Sequence, residues 1–295
     1  MTLCTYAHET GGFLHTFHVR NMSAEDFEFA VRITDQMSWG LAKADFEFMI
    51  ELEPEGCFVL LHDSERVGIA TTVSFGRVGW FGNLIVSPEK QRKGGGSFLV
   101  RHALEYLADK NVRTVGLYAY TEKIPFYTAL GFKYDSDFIA LKGKGASSSS
   151  HCVDVREATN KDINEIIDLD KACFGASRKK LLEPILRDTD NFCYVSTENG
   201  RLSGFTVAKV YQGMVELGPL VSTKELSDIA IGLLAAALSR SNDFEVTTCV
   251  PKSEASILNM LTRTGFTEKF RVARMFFGPS VTGDCVYAAE SLERG

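Results

Sequence analysis

The sequence predicts an α/β protein that carries the same domain twice, each copy with a mixed, mostly antiparallel sheet flanked by helices. Three observations predict it: strand and helix patterns alternate in both halves, short motifs recur at a nearly constant offset, and a Gly/Ser-rich segment separates the halves. That segment, residues 143–151, has no large apolar side chain and is the predicted linker. Residues 1–142 then form the N-terminal domain and residues 152–295 the C-terminal domain.

The internal repeat places residues of the second half 134 to 136 positions after their equivalents in the first. The matching segments are FHVR at 17–20 with VDVR at 153–156, Val86 and Ser87 with Val221 and Ser222, and Gly131 and Phe132 with Gly265 and Phe266. Chance similarity would not keep the offset constant over a whole domain. Both halves are therefore predicted to share one order of elements, β-α-α-β-β-β-α-β-α-β.

The early elements of the first half follow from capping, periodicity and turn residues. Strand 17–20 leads into helix 24–37 through Ser23, which forms a capping box with Asp26. Apolar patterns then predict helix 43–52 and strands 57–62 and 67–75, with a turn at Asp63 between the strands. Strand 80–86 ends at Pro88, because proline cannot donate to a sheet ladder.

The later elements begin with a glycine-rich turn and a helix. Apolar residues of that helix recur at helical spacing, with charged residues on the opposite face. The apolar residues are Leu99, Val100, Ala103, Leu104 and Leu107, and the charged ones are Arg101, Glu105 and Asp109. Strand 115–119, helix 125–130 and strand 132–141 complete the half, and Gly131 ends the last helix.

Composition excludes several classes of partner. The net charge is -6 and the pI about 5.6, which disfavours nucleic acid and anionic membranes. No apolar run reaches the roughly 18 residues of a membrane span, and residues 1–16 lack the pattern of a secretory signal.

Seven scattered cysteines indicate free thiols, so a cytoplasmic location is expected. His151 and Cys152 stand alone, so no metal site is predicted.

Three consecutive glycines, Gly94, Gly95 and Gly96, lie between a strand and a helix. Bare backbone N–H groups at a helix start donate hydrogen bonds to anions, and Arg92 and Lys93 beside the glycines can neutralise a phosphate. The segment therefore predicts a pyrophosphate site, with a merely flexible turn as the alternative. No Gly-Lys-Ser/Thr follows, which excludes a Walker A loop, and the spacing does not fit a Rossmann fingerprint.

Two motifs carry a resemblance to a known family. QRKGGG at 91–96 resembles the Q/R-x-x-G-x-G/A signature of the GCN5-related N-acetyltransferases (GNAT), and PFYTALGF at 125–132 resembles that family's Tyr-x-x-x-Gly-Phe ending. SWG at 38–40 and DF at 45–46 are similar to a tandem subgroup with a divergent, YitH-like C-terminal domain. The resemblance implies two tandem GNAT folds.

The resemblance also implies acetyl-CoA as the acyl donor, with no metal. The pyrophosphate would lie on the strand-to-helix loop, and the pantetheine arm would run beside the preceding strand, where a bulge splays it from the next strand. The implied cofactor-binding residues are Leu84, Ile85, Val86, Gln91, Arg92, Lys93, Gly94, Gly95, Gly96, Ser97, Thr121 and Phe126. Tyr120 stands where the family usually has asparagine, which puts one cofactor contact in doubt.

Tyr127 matches the family's general acid, which protonates the departing thiolate; a core aromatic is the alternative. The general base is open. Glu47 and Glu51 lie one helical turn apart and could face the acceptor, yet an acidic pair is usually a solvated face. Trp39 is a candidate for the acceptor wall or for the core.

The second copy lacks both functional motifs. Its strand-to-helix loop has no glycine triplet and carries Glu225 and Asp228, and Leu261 stands in the tyrosine position. We expect a degenerate domain kept for its shape, which closes off the acceptor pocket. The predicted function is acetyl transfer from acetyl-CoA to a primary amine of a small molecule by direct attack. A protein or peptide acetyltransferase, or a non-catalytic CoA- or metabolite-binding module, are the alternatives.

Overall fold

The computed structural model describes residues 5–10, 13–146, 154–211, 213–223, 227–281 and 285–295. The chain divides into two compact units. Unit 1 comprises Met1–Leu117, Ala129–Gly131 and Arg294; unit 2 comprises Tyr118–Thr128, Phe132–Glu293 and Gly295. Within the described ranges, no helix is long and apolar enough to cross a membrane.

Unit 1 is a sheet with three helices. Its elements are β1 (Thr5–Thr10), β2 (Phe13–Asn21), α1 (Phe27–Asp35), α2 (Lys43–Leu52), β3 (Cys57–His62), β4 (Glu65–Phe75), β5 (Val78–Val86), α3 (Gly95–Asp109) and β6 (Thr114–Tyr120), of which the last three residues belong to unit 2. The strands follow one another in the order β1-β2-β3-β4-β5-β6. Pairing is antiparallel up to β5, and β5 pairs with β6 in parallel.

Unit 2 contains the remaining elements. These are α4 (Ile124–Ala129), β7 (Lys133–Lys144), β8 (Val155–Glu157), α5 (Ile163–Phe174), α6 (Lys179–Arg187), β9 (Phe192–Glu198), β10 (Arg201–Tyr211), β11 (Met214–Ser222), α7 (Ser227–Arg240), β12 (Glu245–Pro251), α8 (Ala255–Arg263), β13 (Thr267–Phe277) and β14 (Val286–Ala288). The strand order is β13-β7-β12-β11-β10-β9-β8, and β14 pairs with β11. The mixed, mostly antiparallel sheet is confirmed, and the predicted order of elements occurs in both halves, with two additional strands that the sequence did not predict, β1 and β14.

One strand of the first repeat lies in the second unit. β7 ends the first repeat in sequence, yet it pairs antiparallel with β12 on one edge and with β13 on the other. Sequence periodicity identifies a strand but not its neighbours, which is why the linker position did not reveal this arrangement. The domain limits drawn from the repeat stay a prediction. Residues 147–151 of the predicted linker lie outside the described residues, as do Cys152 and Glu225.

The structure gives the repeat a physical meaning. In unit 1, the buried Asp26 carboxylate accepts hydrogen bonds from Arg20 at 2.7 Å, from Arg66 at 2.6 Å and from the Ser23 backbone at 2.9 Å. Despite the opposing effect of burial, these donors hold the pKa of Asp26 well below its usual range. The predicted capping box at Ser23 is therefore present, and Asp26 also ties strand to helix.

Unit 2 repeats this arrangement. Arg156 donates to Asp162 at 2.6 and 2.9 Å, and the Thr159 backbone donates to Asp162 at 2.7 Å. The Arg156 hydrogen bond holds the pKa of Asp162 below its usual range as well. The Arg-x₅-Asp spacing of the repeat is thus a bidentate ion pair that fixes the first helix of each copy against the strand that precedes it.

Candidate cofactor site

A β-bulge interrupts β5 near its carboxyl end. Ile69 of β4 lies opposite Ile85, and Thr71 lies opposite Gly82, so two β5 residues face one residue of β4. Asn83, in this bulge, has a φ of +51°, a left-handed conformation that asparagine tolerates better than most residues. Its side-chain amide donates to Thr71 Oγ1 at 3.1 Å. The bulge expected in this strand is confirmed.

Past its first three residues, β5 leaves its register with β6. Val78–Trp80 pair with residues 114–116, and the register ends at Trp80 and Gly116. The Trp80 ring lies against Gly116, where a Cβ would overlap it. Among the described strands β5 pairs with β4 and β6 alone, so the bulged end of β5 offers its backbone on the β6 side.

The loop after β5 is held by a side chain predicted to bind cofactor. Gln91 donates its amide Nε2–H to the Val86 carbonyl oxygen at 2.8 Å. The same loop contains Arg92 in a left-handed conformation, with a φ of +61°, and both Arg92 and Lys93 are exposed. Gln91 therefore fixes the junction between strand and loop. The two residues that follow it, Arg92 and Lys93, are exposed cations on the loop.

Helix α3 begins with backbone donors ahead of its hydrogen-bond ladder. The Phe98 N–H donates to the Gly94 carbonyl at 2.9 Å, so the N–H groups of Gly95, Gly96 and Ser97 precede the first bond of the ladder. No acidic side chain lies in this first turn. The helix dipole, the free donors and the nearby cations all favour an anion here.

The three glycines have different structural roles. Gly94 has a φ of +90° with open space around it, so its conformation alone requires glycine. Gly95 is buried, and a Cβ there would lie 2.8 Å from Leu60 Cδ2 and 3.1 Å from Phe17 Cε1. The missing Cβ of Gly95 therefore lets α3 pack against β2 and β3. Its backbone N–H stays a predicted anion donor.

Tyr127 lies on the short helix α4 in an aromatic cluster. It is 8% exposed, and its ring centroid is 5.0 Å from that of Phe126 and 5.7 Å from that of Phe132. The Phe132 N–H donates to the Tyr127 carbonyl at 3.1 Å, which closes the turn after α4. The phenol of Tyr127 is protonated at neutral pH, as in an ordinary tyrosine, and burial raises its pKa further. The raised pKa makes the phenol a weaker acid and is typical of a core aromatic, and Tyr127 stays a predicted acid.

The remaining candidates are scattered over other elements. Thr121 is exposed in a 3₁₀ turn at Thr121–Lys123, and Phe126 is half-buried. Trp39 is half-buried after α1. Glu47 and Glu51 are exposed on α2, whose buried residues are Phe46, Met49 and Leu52, as expected of a solvated acidic face.

Sequence reasoning missed two polar residues of unit 1. Asn83 is 8% exposed and its side-chain oxygen has no hydrogen-bond partner within the described chain. The Gly82-Asn83 pair inside a strand pattern was the available signal of a bulge.

Glu53, at the end of α2, is buried, and its carboxylate accepts hydrogen bonds from Tyr106 Oη at 2.6 Å and from the Ser74 backbone N–H at 2.8 Å. Those bonds give Glu53 a structural role.

No cluster of three or more metal-ligating His, Cys, Asp or Glu side chains occurs in the part of the chain that the structure describes. In unit 2, the residues that replace the glycine loop are described only in part. Asp228 is exposed at the start of α7, and Leu261 is fully buried on α8. The second copy thus has a core leucine at the position equivalent to Tyr127.

Comparison with known proteins agrees with this geometry. The "Acetyltransferase (GNAT) family" matches residues 18–132, and an "Acetyltransferase (GNAT) domain" matches residues 166–287. The holothin acyltransferase of Pseudoalteromonas sp. (strain SANK 73390) is 25% identical over 284 residues, covering 95% of both chains. The uncharacterized N-acetyltransferase YitH of Bacillus subtilis (strain 168) is 23% identical over 194 residues, covering 65% of this chain and 67% of YitH.

A solved structure extends the agreement to the fold of the whole chain. The crystal structure of a protein from Pyrococcus horikoshii, described as an acetyltransferase, has a TM-score of 0.79 and 24% identity, covering 98% of this chain and 99% of that one. Two family domains in sequence, with the same order of elements, account for the repeat. The chain belongs to the GNAT acetyltransferases and carries two GNAT domains in tandem.

Proposed function

We propose that this chain transfers an acetyl group from acetyl-CoA to a primary amine of a small molecule, by direct attack of the amine on the thioester. The observation that carries the proposal is the start of α3: backbone N–H groups ahead of the helix ladder, glycines in place of side chains, and two exposed cations beside them. A diphosphate is the anion that such a site fits best, because several donors converge where no acidic side chain competes.

The residues present fit the cofactor along its length. Gly95, Gly96 and Ser97 would donate N–H groups to the diphosphate, with Arg92 and Lys93 neutralising its charge. Leu84, Ile85 and Val86 would bind the pantetheine arm through the backbone edge that β5 exposes beyond Trp80. Bound acetyl-CoA supplies an acyl group activated as a thioester.

Two features of the chain would assist the chemistry. A backbone N–H at the bulge of β5 can stabilise charge that develops on a carbonyl oxygen, since the bulge takes one residue out of the ladder. Tyr127 is the proposed donor of a proton to the departing thiolate, because its phenol is protonated at neutral pH. The incoming amine must be neutral, and no described carboxylate is assigned as its base.

The acceptor is proposed to be a small molecule. The holothin acyltransferase, which this chain matches over nearly its whole length, is named for acyl transfer involving holothin. That name supports acyl transfer, and it leaves acyl groups other than acetyl within the scope of the test. A peptide acceptor and a non-catalytic CoA-binding role are the competing outcomes.

The cofactor site is tested by placing charge at the helix start. Gly96→Asp puts a carboxylate where the diphosphate is proposed to lie, while an acidic residue in the first turn stabilises the helix itself. We expect acetyl-CoA affinity, measured by calorimetry, to fall at least tenfold, with no loss of thermal stability. Gly96→Asn is the matched neutral control and should bind more tightly than Gly96→Asp. Equal affinities for both variants would refute the site.

The reaction is tested by thiol release from acetyl-CoA with a panel of small amines and a panel of peptides. Turnover with small amines supports the proposal. Turnover with peptides alone would make the chain a peptide acetyltransferase. Tight acetyl-CoA binding with no thiol release from either panel would make it a binding module.

A further inference from the structure

The strand pair of unit 1 that diverges at the bulge has a counterpart in unit 2. Thr206 of β10 lies opposite Leu220 and Ala208 lies opposite Leu217, so β11 is bulged at residues 218–219. β11 then pairs in parallel with β12 at three positions, Met214 to Glu216 against Glu245 to Thr247. The bulge and the short parallel pairing also occur in β5 and β6. Because β11 and β12 pair only at these three positions, their other ends diverge and leave a groove between them.

This groove is filled by the chain itself. We name Cys285–Glu293 the tail segment; it contains β14. β14 pairs antiparallel with β11, Ala288 lying opposite Leu220, and the Ser222 N–H donates to the Cys285 carbonyl at 3.0 Å. On the opposite side of the groove, the Ala289 N–H donates to the Cys249 carbonyl of β12 at 2.9 Å. The tail segment therefore bonds to both strands that diverge.

The tail segment is part of the core of unit 2. Five consecutive residues are buried: Tyr287, Ala288, Ala289, Glu290 and Ser291. Tyr287 and Ala288 pack in the cluster beneath α7, and Ala289 packs in a second cluster with Phe138 and Val272. Gly218, at the bulge, admits the segment, since a Cβ there would overlap the Ala289 carbonyl oxygen.

A buried ion pair fixes the segment in this position. Glu290 is 1% exposed, and its carboxylate lies 2.6 Å from Lys209 Nζ on β10. Lys209 is 3% exposed, also donates to the Glu290 carbonyl oxygen, and lies 2.9 Å from Glu216 on β11. Near the chain end, the buried Arg178 donates to the Gly295 carbonyl oxygen. Burying charges this completely requires that the partners stay together.

The position of the segment in the sheet argues against a simple edge extension. An added strand at an edge would pair with β8, the outermost strand of this sheet. The tail segment instead enters an interior slot between two neighbours that already pair in parallel. Leu220 and Val221, its partners on β11, are equivalent in the repeat to Ile85 and Val86 on β5.

We propose that the tail segment is a built-in occupant of the second domain's cofactor groove, taking on β11 the place that an extended pantetheine arm takes on β5. The correspondence with pantetheine rests on the proposed function; the occupancy of the groove by Cys285–Glu293 does not. Unit 2 is consequently closed to acyl-CoA, and the chain binds one equivalent.

The first experiment measures hydrogen exchange by mass spectrometry on the full chain. We expect the backbone amides of Tyr287–Ser291 and of residues 218 and 220–222 to be protected as strongly as those of β10. Glu290→Gln should speed exchange in the tail segment at least tenfold and leave β9 unchanged; Glu198→Gln, an exposed residue of the same unit, should change neither. Rapid exchange of the tail segment in the wild-type chain, with β10 protected, would overturn the proposal.

The second experiment adds acetyl-CoA and measures stoichiometry by calorimetry together with hydrogen exchange. One equivalent bound, with new protection at β5 and none at β11, supports the proposal. Two equivalents, or new protection at β11, would overturn it. Absence of binding together with a protected tail segment would refute the proposed function and support the occupancy of the groove.

Discussion

Gly95→Ala tests how the start of α3 is positioned. Its Cβ would lie 2.8 Å from Leu60 Cδ2 and 3.1 Å from Phe17 Cε1, both closer than ordinary contact. Leu60 is fully buried and Phe17 is 2% exposed, so neither can move into solvent. Overpacking of this kind costs about 1–3 kcal/mol, and the helix preference of alanine over glycine offsets up to about 1 kcal/mol. With an overpacking cost of about 2 kcal/mol, the middle of that range, and an offset of about 0.5–1 kcal/mol, we expect the free energy of unfolding to fall by about 1–1.5 kcal/mol.

Urea unfolding followed by tryptophan fluorescence measures this loss. The chain has two tryptophans, Trp39 and Trp80, and both lie in unit 1, which also contains Gly95. The fluorescence transition therefore reports on the unit that the substitution affects, and its midpoint should fall while its slope stays constant. Gly94→Ala is the comparison: nothing lies within 4 Å of its Cβ, so its cost of about 1 kcal/mol arises from the backbone conformation alone.

A double-mutant cycle separates overpacking from backbone strain. In a Leu60→Ala background the added methyl group enters vacated space, so Gly95→Ala should cost less than it does in the wild type. The cost of Gly94→Ala should be the same in both backgrounds. A midpoint for Gly95→Ala equal to that of the wild type, or an unchanged cost after Leu60→Ala, would refute the packing argument.

Three further predictions follow from the site and its support. Asp26→Asn should lower the free energy of unfolding by about 3 kcal/mol at pH 7. Because folding lowers the pKa of Asp26, this difference should shrink as the pH falls below about 4, which acid unfolding of both chains would show. Asp109→Asn, a change at an exposed residue, should alter the free energy of unfolding at pH 7 by less than about 0.5 kcal/mol. Tyr127→Phe should lower kcat about 100-fold or more and leave acetyl-CoA affinity unchanged. Tyr134→Phe, at an exposed tyrosine, should leave both kcat and affinity unchanged. Equal kcat values for the two variants would contradict the acid role. Gln91→Ala removes the hydrogen bond to the Val86 carbonyl. Acetyl-CoA binding, measured by calorimetry, should weaken severalfold, and the thermal unfolding midpoint should change little. An unchanged affinity would show that Gln91 is not part of the site.

Much of the fold was predictable because it is local. Helix 43–52 has the predicted limits, and Leu99, Val100, Ala103 and Leu107 of the predicted stripe are buried as their spacing indicated, whereas Leu104 is half-buried. The glycine loop was predictable for the same reason, since a strand, a bare turn and an amphipathic helix leave a local signature. The role of Gly95 was not, because it depends on Leu60 and Phe17, residues far away in the sequence.

The sequence by itself determined the two tandem domains, the order of their predicted elements, the glycine-rich start of α3 and the absence of a glycine triplet at the equivalent place in the second copy. The tertiary structure alone decided which strands became neighbours: β7 lies between β12 and β13, and the tail segment lies between β11 and β12. Strand periodicity specifies which face of a strand is buried, whereas the partner is chosen by backbone hydrogen bonds that any strand can make. Buried contacts such as Lys209 with Glu290 then fix that choice, and they join residues 81 positions apart.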